Sequence, residues 1–149
     1  GTMYVWEDAT SLVSGVPQQY QALKVAVGTE AEIRDAIDQY ESTQYKRIAL
    51  YIQSAIYSIW TIVLSSDLTI PGGFDLVLFD RPISNLVRGG TLVVPSGKTM
   101  TVANDALLRI ESASVLKVFG NLVNNGRIEV GGRLATSSPD HITGNAYML

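Results

Sequence analysis

"GGTLVVPSGKTMTVANDALLRIESASVLKV", residues 89–118, repeats one apolar pair at a fixed interval. Leu92 and Val94 are followed by Met100 and Val102, then Leu108 and Ile110, then Leu116 and Val118, each pair eight residues after the last. Alternate residues of a β-strand share a face, so two apolar residues two apart describe a short strand buried on one side. The same beat runs upstream through Trp60 and Ile62, Leu68 and Ile70, and Leu76 and Leu78, then Ser84 and Leu86, where only Ser84 departs from apolar. Turn-forming residues fill the gaps: Ser66-Asp67, Pro71-Gly72-Gly73, Asp80-Arg81-Pro82, Gly89-Gly90, Pro95-Ser96-Gly97 and Asn104-Asp105. After Val118 the spacing shifts, yet "FGNLVNNGRIEVGGRLAT" (119–136) still alternates strands with glycine turns.

Many short strands at fixed spacing are a repeat architecture. In a parallel β-helix, three beats make one rung of about 24 residues, with rungs stacked ~4.8 Å apart. In an antiparallel meander or prism, each gap is a hairpin, which favours two-residue Asn-Gly or Asp-Gly turns. Only Asn125-Gly126 meets that requirement. The expected fold is therefore mainly β, a short-strand β-solenoid, with the parallel β-helix favoured and the meander or prism as alternative. Lys98, Arg109, Lys117, Arg127 and Glu129 alternate with the core positions and are expected to point outward.

Working outward, residues 28–59 begin "GTEAEIRDAIDQYE". Thr29 with Glu32 makes a capping box, and Ile33, Ala36, Ile37 and Tyr40 form one apolar stripe. A helix is expected there, placed to cap the first rung, since a solenoid must cover its apolar ends. "YKRIALYI" then reads as a first strand, or as a second helix over Gln44–Ile59. Residues 1–27 form an N-terminal arm with a short helix at Gln18–Val25, 60–135 the solenoid repeats, and 136–149 a C-terminal tail. Gly1-Thr2 reads as a cloning remnant, and no signal peptide is read after it. Ile48–Ser66 carries no charge, but its alternating β-branched and aromatic residues suit strands, so no membrane span is expected.

Charged residues are 17% of the 149, against 46% hydrophobic, so part of the surface is expected to be covered by a partner chain. The net charge of −3 and the lack of a basic patch argue against nucleic acid. There is no Cys, hence no disulfide framework.

Candidate chemistry is sparse. His141, the single histidine, has no Ser-His-Asp arrangement around it and reads as a tail-loop residue. Asp67, Asp75 and Asp80 are oxygen donors of the kind calcium takes, but all sit in or beside turns that favour Asp. Glu111 and Glu129 are carboxylates of the type glycosidases pair, though both alternate with core positions and read as a solvated face. Gly89-Gly90 and Gly131-Gly132 lack the GxxxxGK[ST] pattern of a phosphate loop and read as corners. Asn121, Asn124 and Asn125 are read as turn residues rather than a stacked ladder. Tyr4, Trp6 and Tyr20 are candidate docking aromatics on the arm. The apolar residues off the beat, Val63, Val77, Val87, Val93, Val115 and Phe119, are the expected contacts between copies of the chain.

"VGTEAEIRDAI", "WTIVLSSDLTI", "TLVVPSGKTMTV" and "GNLVNNGRIEVGG" together make residues 27–135 resemble right-handed parallel β-helix proteins of phage virions (tail fibres, tailspikes, head fibres and decoration proteins) and related bacterial surface adhesins. The resemblance implies a homotrimer with a structural or receptor-binding role in a virion or at a cell surface, and no cofactor. Its partners would be a capsid or tail protein, or a host-surface glycan. The long loops that carry carbohydrate sites in the enzymatic members are lacking, so the expectation is a non-enzyme. The alternative is a carbohydrate-binding or polysaccharide-degrading fragment using Asp75 and Asp80.

Overall fold

The computed structural model describes residues 5–8, 21–43, 45–53, 59–79, 81–83 and 86–147. In chain order these form β1 (Val5–Asp8), β2 (Gln21–Val27), helix α1 (Glu30–Tyr40), β3 (Arg47–Ile52), β4 (Trp60–Val63), β5 (Leu68–Ile70), β6 (Phe74–Leu78), β7 (Arg81–Ile83), β8 (Leu86–Arg88), β9 (Gly90–Val94), β10 (Thr99–Val102) and β11 (Leu107–Ile110). β12 (Val115–Val118), β13 (Asn121–Asn124), β14 (Arg127–Val130), β15 (Arg133–Thr136) and β16 (Ile142–Gly144) follow.

Strands three apart in this cycle pair in parallel. Sheet A runs β1-β2-β3-β6-β11-β14, sheet B runs β4-β9-β12-β15 and sheet C runs β5-β10-β13-β16. Among the described residues this is a β-solenoid with one N-terminal α-helix, the architecture favoured from the beat over a meander or prism. Its core consists of vertical ladders set by register: Ile62, Leu92, Leu116 and Leu134 in sheet B, Leu68, Met100, Leu122 and Ile142 in sheet C, and Leu50, Leu76, Leu108 and Ile128 in sheet A. Nearly all are fully buried, and each such side chain stabilises by roughly 1.5–3 kcal/mol.

The beat departs from the rungs in two places. Leu86 lies in β8, which pairs antiparallel with β7. This hairpin is as long as one beat, so the count stays in step on either side of it although it adds no rung strand. Ser84 lies outside the described residues.

The second departure is the shift after Val118. In the rung before it, all three corners are four-residue turns closed by a hydrogen bond: Lys98 N to Pro95 O at 3.1 Å, Ala106 N to Ala103 O at 3.0 Å and Ser114 N to Glu111 O at 3.0 Å. In the next rung each corner shrinks to two residues ending in glycine: Phe119-Gly120, Asn125-Gly126 and Gly131-Gly132. Each glycine nests on the two carbonyls that bound the turn beneath it. A Cβ at Gly120 would lie 2.1 Å from Lys98 O and 2.3 Å from Pro95 O, so only glycine closes the shorter corner. Asn125-Gly126 is thus a rung corner, not a hairpin.

The N-terminal region corrects one expectation. Residues 21–27 are strand β2, not the end of a helix over Gln18–Val25, because Leu23 and Val27 alternate into the core beside Ile48 and Ile52. Residues 47–52 are likewise strand, not a second helix. Between these two strands α1 occupies the level where sheets B and C have no strand. Thr29 Oγ1 accepts from Glu32 N at 3.1 Å, and Glu32 reaches back to Gly28 N at 3.1 Å. Ile33, Ala36 and Ile37 join the core.

The end strands β4 and β5 meet the helix through ionic and polar contacts at their corner. Glu30 accepts from Ser65 N and Ser65 Oγ, and Arg34 donates to Ser66 O and Asp67 O while pairing with Glu30 at 2.9 Å. These bonds satisfy backbone groups that an edge would leave open. Burial pushes the Glu30 carboxyl up, but the bonds from Ser65 and Arg34 outweigh it and hold the group below the ordinary carboxylate range. A lowered folded value contributes stability that is complete above the unfolded value and is lost as pH falls through the folded one. Glu30→Gln is therefore expected to lower the melting temperature at neutral pH and to match the parent at pH values below the carboxylate range. Equal deficits at both pH values would show that the ionised form carries nothing.

Candidate functional site

Three outer flanks surround the core, and their chemistry differs. The flank of sheet C is mostly hydroxyl and amide: Thr69, Thr101 and Thr143 share one column with Val123, and Thr99 and Asn121 stand in the next. The flank of sheet A is laced with charge. Arg109 pairs with Glu129 at 3.1 Å, Arg127 pairs with Glu129 at 2.8 Å, and the Lys24 ammonium sits 4.8 Å from the centre of the Tyr51 ring. Tyr51 packs edge-on against Phe79.

The flank of sheet B is mixed, with valines beside threonines towards α1 and two basic residues towards the last rung. Its two middle columns are Thr61, Thr91, Val115 and Arg133, and Val63, Val93, Lys117 and Ala135. Ile59 is 67% exposed, Val63 55% and Phe119 46%. Of the expected copy-to-copy contacts, the structure brings Val63, Val93 and Val115 to this flank, with Phe119 at its corner. Val77 is not available: it is 1% exposed on sheet A, in register between Tyr51 and Arg109. Val87 is in β8, and its side chain lies outside the described residues. Val77 alternates off the beat like the others, but the larger neighbours beside it in sheet A are placed there by pairing distant in sequence.

At the corner between sheets C and A lies a polar cleft of about 440 Å³, lined by Arg47, Asp75, Asn104, Asp105, Asn125, Arg127 and Asn145 among others. Arg47 staples three levels of the stack. It donates to Asp75 Oδ1 at 2.6 Å, to Asp105 Oδ1 at 3.2 Å and to Asp105 O at 3.0 Å. Burial lowers the Arg47 guanidinium's affinity for its proton, and the two carboxylates outweigh that and raise it. Asn124 is fully buried beneath the cleft, where it donates to Asn145 O at 3.1 Å and accepts from Gly126 N at 3.2 Å. It serves the turn, as expected, while Asn121 stays on the sheet C flank.

The remaining candidates are dispersed. Asp67 accepts from Thr99 N at 2.8 Å, Asp75 is held by Arg47, and Asp80 lies outside the described residues. Among the described residues no three His, Asp or Glu side chains gather as a metal site. Glu129 is engaged by two arginines, and Glu111 has partners of its own. His141 ends a 3-10 turn (Pro139–His141), with Nδ1 3.5 Å from Ser137 Oγ. Trp6 is in β1, in register with Ala22; Tyr4 and Tyr20 lie outside the described residues. Among the described residues no helix is long and apolar enough to cross a membrane.

No family model, curated protein or solved structure matches this chain.

Proposed function

We propose that the chain is a non-enzymatic structural or attachment component of a virion: a decoration, head-fibre or tail-fibre protein. The observation that carries this reading is the rod itself. Its core ladders run unbroken from α1 to the last rung, its corners from β9 to β15 are only two to four residues long, and one flank exposes Ile59, Val63 and Phe119. Such a body resists bending and offers a side surface for assembly. It docks to a capsid or tail protein by its N-terminal region and associates with copies of itself as a homotrimer. Light scattering on a sizing column tests this. A stable species of three 16.1 kDa chains is expected, and a monomer at every concentration would remove the assembly part of the reading.

The corner cleft favours a second reading, as a carbohydrate-binding module of a surface adhesin. Exposed Asn104, Asn125, Asn145 and Arg127 present the planar hydrogen-bonding groups that hydroxyl-rich ligands use. Asp75 does not serve in it, since its carboxylate is already spent on Arg47. Envelope polysaccharide that binds the parent and not Asn125→Ala with Arg127→Ala would favour this reading; equal binding to both would exclude the cleft.

A further inference from the structure

Asn125 is the one asparagine of the chain that is followed by glycine. In an open chain such a pair modifies itself. The glycine nitrogen attacks the asparagine Cγ, ammonia leaves, and a five-membered succinimide forms. Water then opens the ring at either carbonyl, giving aspartate or isoaspartate, and no oxidant or reductant is needed. Glycine favours the step because no side chain shields its nitrogen and its backbone turns freely. We propose that Asn125 is such a modification site, and that the stacked corner withholds the reaction until it opens.

The restraints act on the backbone. The attacking nitrogen, Gly126 N, donates to Asn124 Oδ1 at 3.2 Å. Asn124 is fully buried and its Nδ2 donates to Asn145 O at 3.1 Å, so the acceptor is itself fixed. The reaction needs Gly126 N to lose its proton and to turn towards Asn125 Cγ. A neutral amide oxygen accepts the hydrogen bond but is far too weak a base to take the proton. The turn is blocked as well. Asn125 N donates to Val102 O at 2.8 Å and Arg127 N to Ala106 O at 3.0 Å, so the chain is pinned on both sides of the pair. Asn145 Nδ2 donates to Gly126 O at 3.0 Å. Gly126 also nests on the rung beneath, where a Cβ would lie 2.3 Å from Ala103 O and 2.5 Å from Ala106 O. The Asn125 side chain, by contrast, is exposed at the polar cleft, where water reaches it. Reactivity is therefore withheld by the fixed backbone and not by burial of the amide.

The two products differ in what they do to the rod. Aspartate keeps the main chain and adds a negative charge to the cleft that Asp105 and Arg127 also line. Isoaspartate routes the main chain through the former side chain and adds one backbone atom to a corner only two residues long. Such a corner no longer nests, and β14 loses its register with β11. The change is irreversible, so each opening of this corner puts the β14 pairing at permanent risk. None of this depends on the virion or the carbohydrate reading.

The test ages the full chain in mildly alkaline buffer, with and without denaturing guanidinium chloride. Residue 125 is followed by liquid chromatography with mass spectrometry, which separates amide, aspartate and isoaspartate peptides. Conversion in buffer is expected to be at least about ten-fold slower than in denaturant, since only the locally opened fraction reacts. Asn124→Ala, with its fold checked by circular dichroism, is expected to speed conversion in buffer about ten-fold, because the attacking nitrogen loses its buried hydrogen bond. Should that variant not fold, Asn145→Ala, whose side chain is exposed, frees Gly126 O and is expected to speed conversion by a smaller factor. Asn125→Asp should melt with the parent, and purified isoaspartate material should melt lower. Equal rates in buffer and denaturant, no conversion in denaturant, or folded variants that age no faster than the parent would each overturn the proposal. Isoaspartate material that melts with the parent would overturn the consequence for β14.

Discussion

Asp75→Ala is expected to lower the unfolding free energy by about 3–5 kcal/mol, the usual penalty for stranding one member of a buried ion pair. The Arg47 and Asp75 side chains are only 19% and 11% exposed, and they meet at 2.6 Å. Asp105, the other carboxylate on Arg47, is 72% exposed, so water already solvates it and it cannot compensate for the loss. The cost comes from a largely buried guanidinium left with only the exposed Asp105 carboxylate, not from the worth of the pair, and this makes a second variant decisive. Arg47→Met with Asp75→Leu removes both charges and is expected to lie near the parent. Urea denaturation measures both. A loss under about 1 kcal/mol for Asp75→Ala would mean the pair is effectively in water, and a double variant as poor as the single would mean the staple is needed for its hydrogen bonds to three levels of the stack.

Gly120→Ala is expected at or beyond the upper end of the ~1–3 kcal/mol that overpacking costs. The new Cβ would lie 2.1 Å and 2.3 Å from two backbone oxygens of the rung beneath. Those oxygens cannot turn aside as a side chain would, because Lys98 O also accepts from Asn121 N and Pro95 O from Lys98 N. Relief requires the corner to lift, which strains the pairing of β12 with β9 and of β13 with β10. Gly97→Ala is the control. Gly97 has φ +81° but nothing within 4 Å of an added Cβ, so it pays only for the left-handed backbone, about 1–2 kcal/mol. Thermal unfolding should rank Gly120→Ala well below Gly97→Ala. The opposite order would mean the two-residue corners do not nest on the rung beneath.

Much of this was readable from local pattern. Leu92, Met100, Leu108 and Leu116 stand at one interval because a short strand, a turn and the next strand repeat, and that periodicity is a property of consecutive residues. The helix at Glu30–Tyr40 was legible for the same reason, since Thr29 and Glu32 are three apart and the Ile33–Tyr40 stripe is local. β2 was not legible because its alternation acquires a partner only in β3, beyond a whole helix. The shortened corners after Val118 appear in sequence as a broken beat. What the break accomplishes, glycine nesting on the carbonyls of the previous rung, exists only once the rungs are stacked.

The sequence by itself determined the strand-and-turn period, the inward residues and the capping helix, because each depends on neighbours a few positions apart. Only the tertiary structure decided which outward residues share a surface. Val63, Val93 and Val115 come together and Val77 is shut away, although all four alternate off the core beat in the same manner. It alone also placed Arg47 against Asp75 and Asp105, 28 and 58 residues further on. Stacking brings residues one rung apart to about 4.8 Å of one another, and which residues face one another depends on pairing between strands distant in sequence.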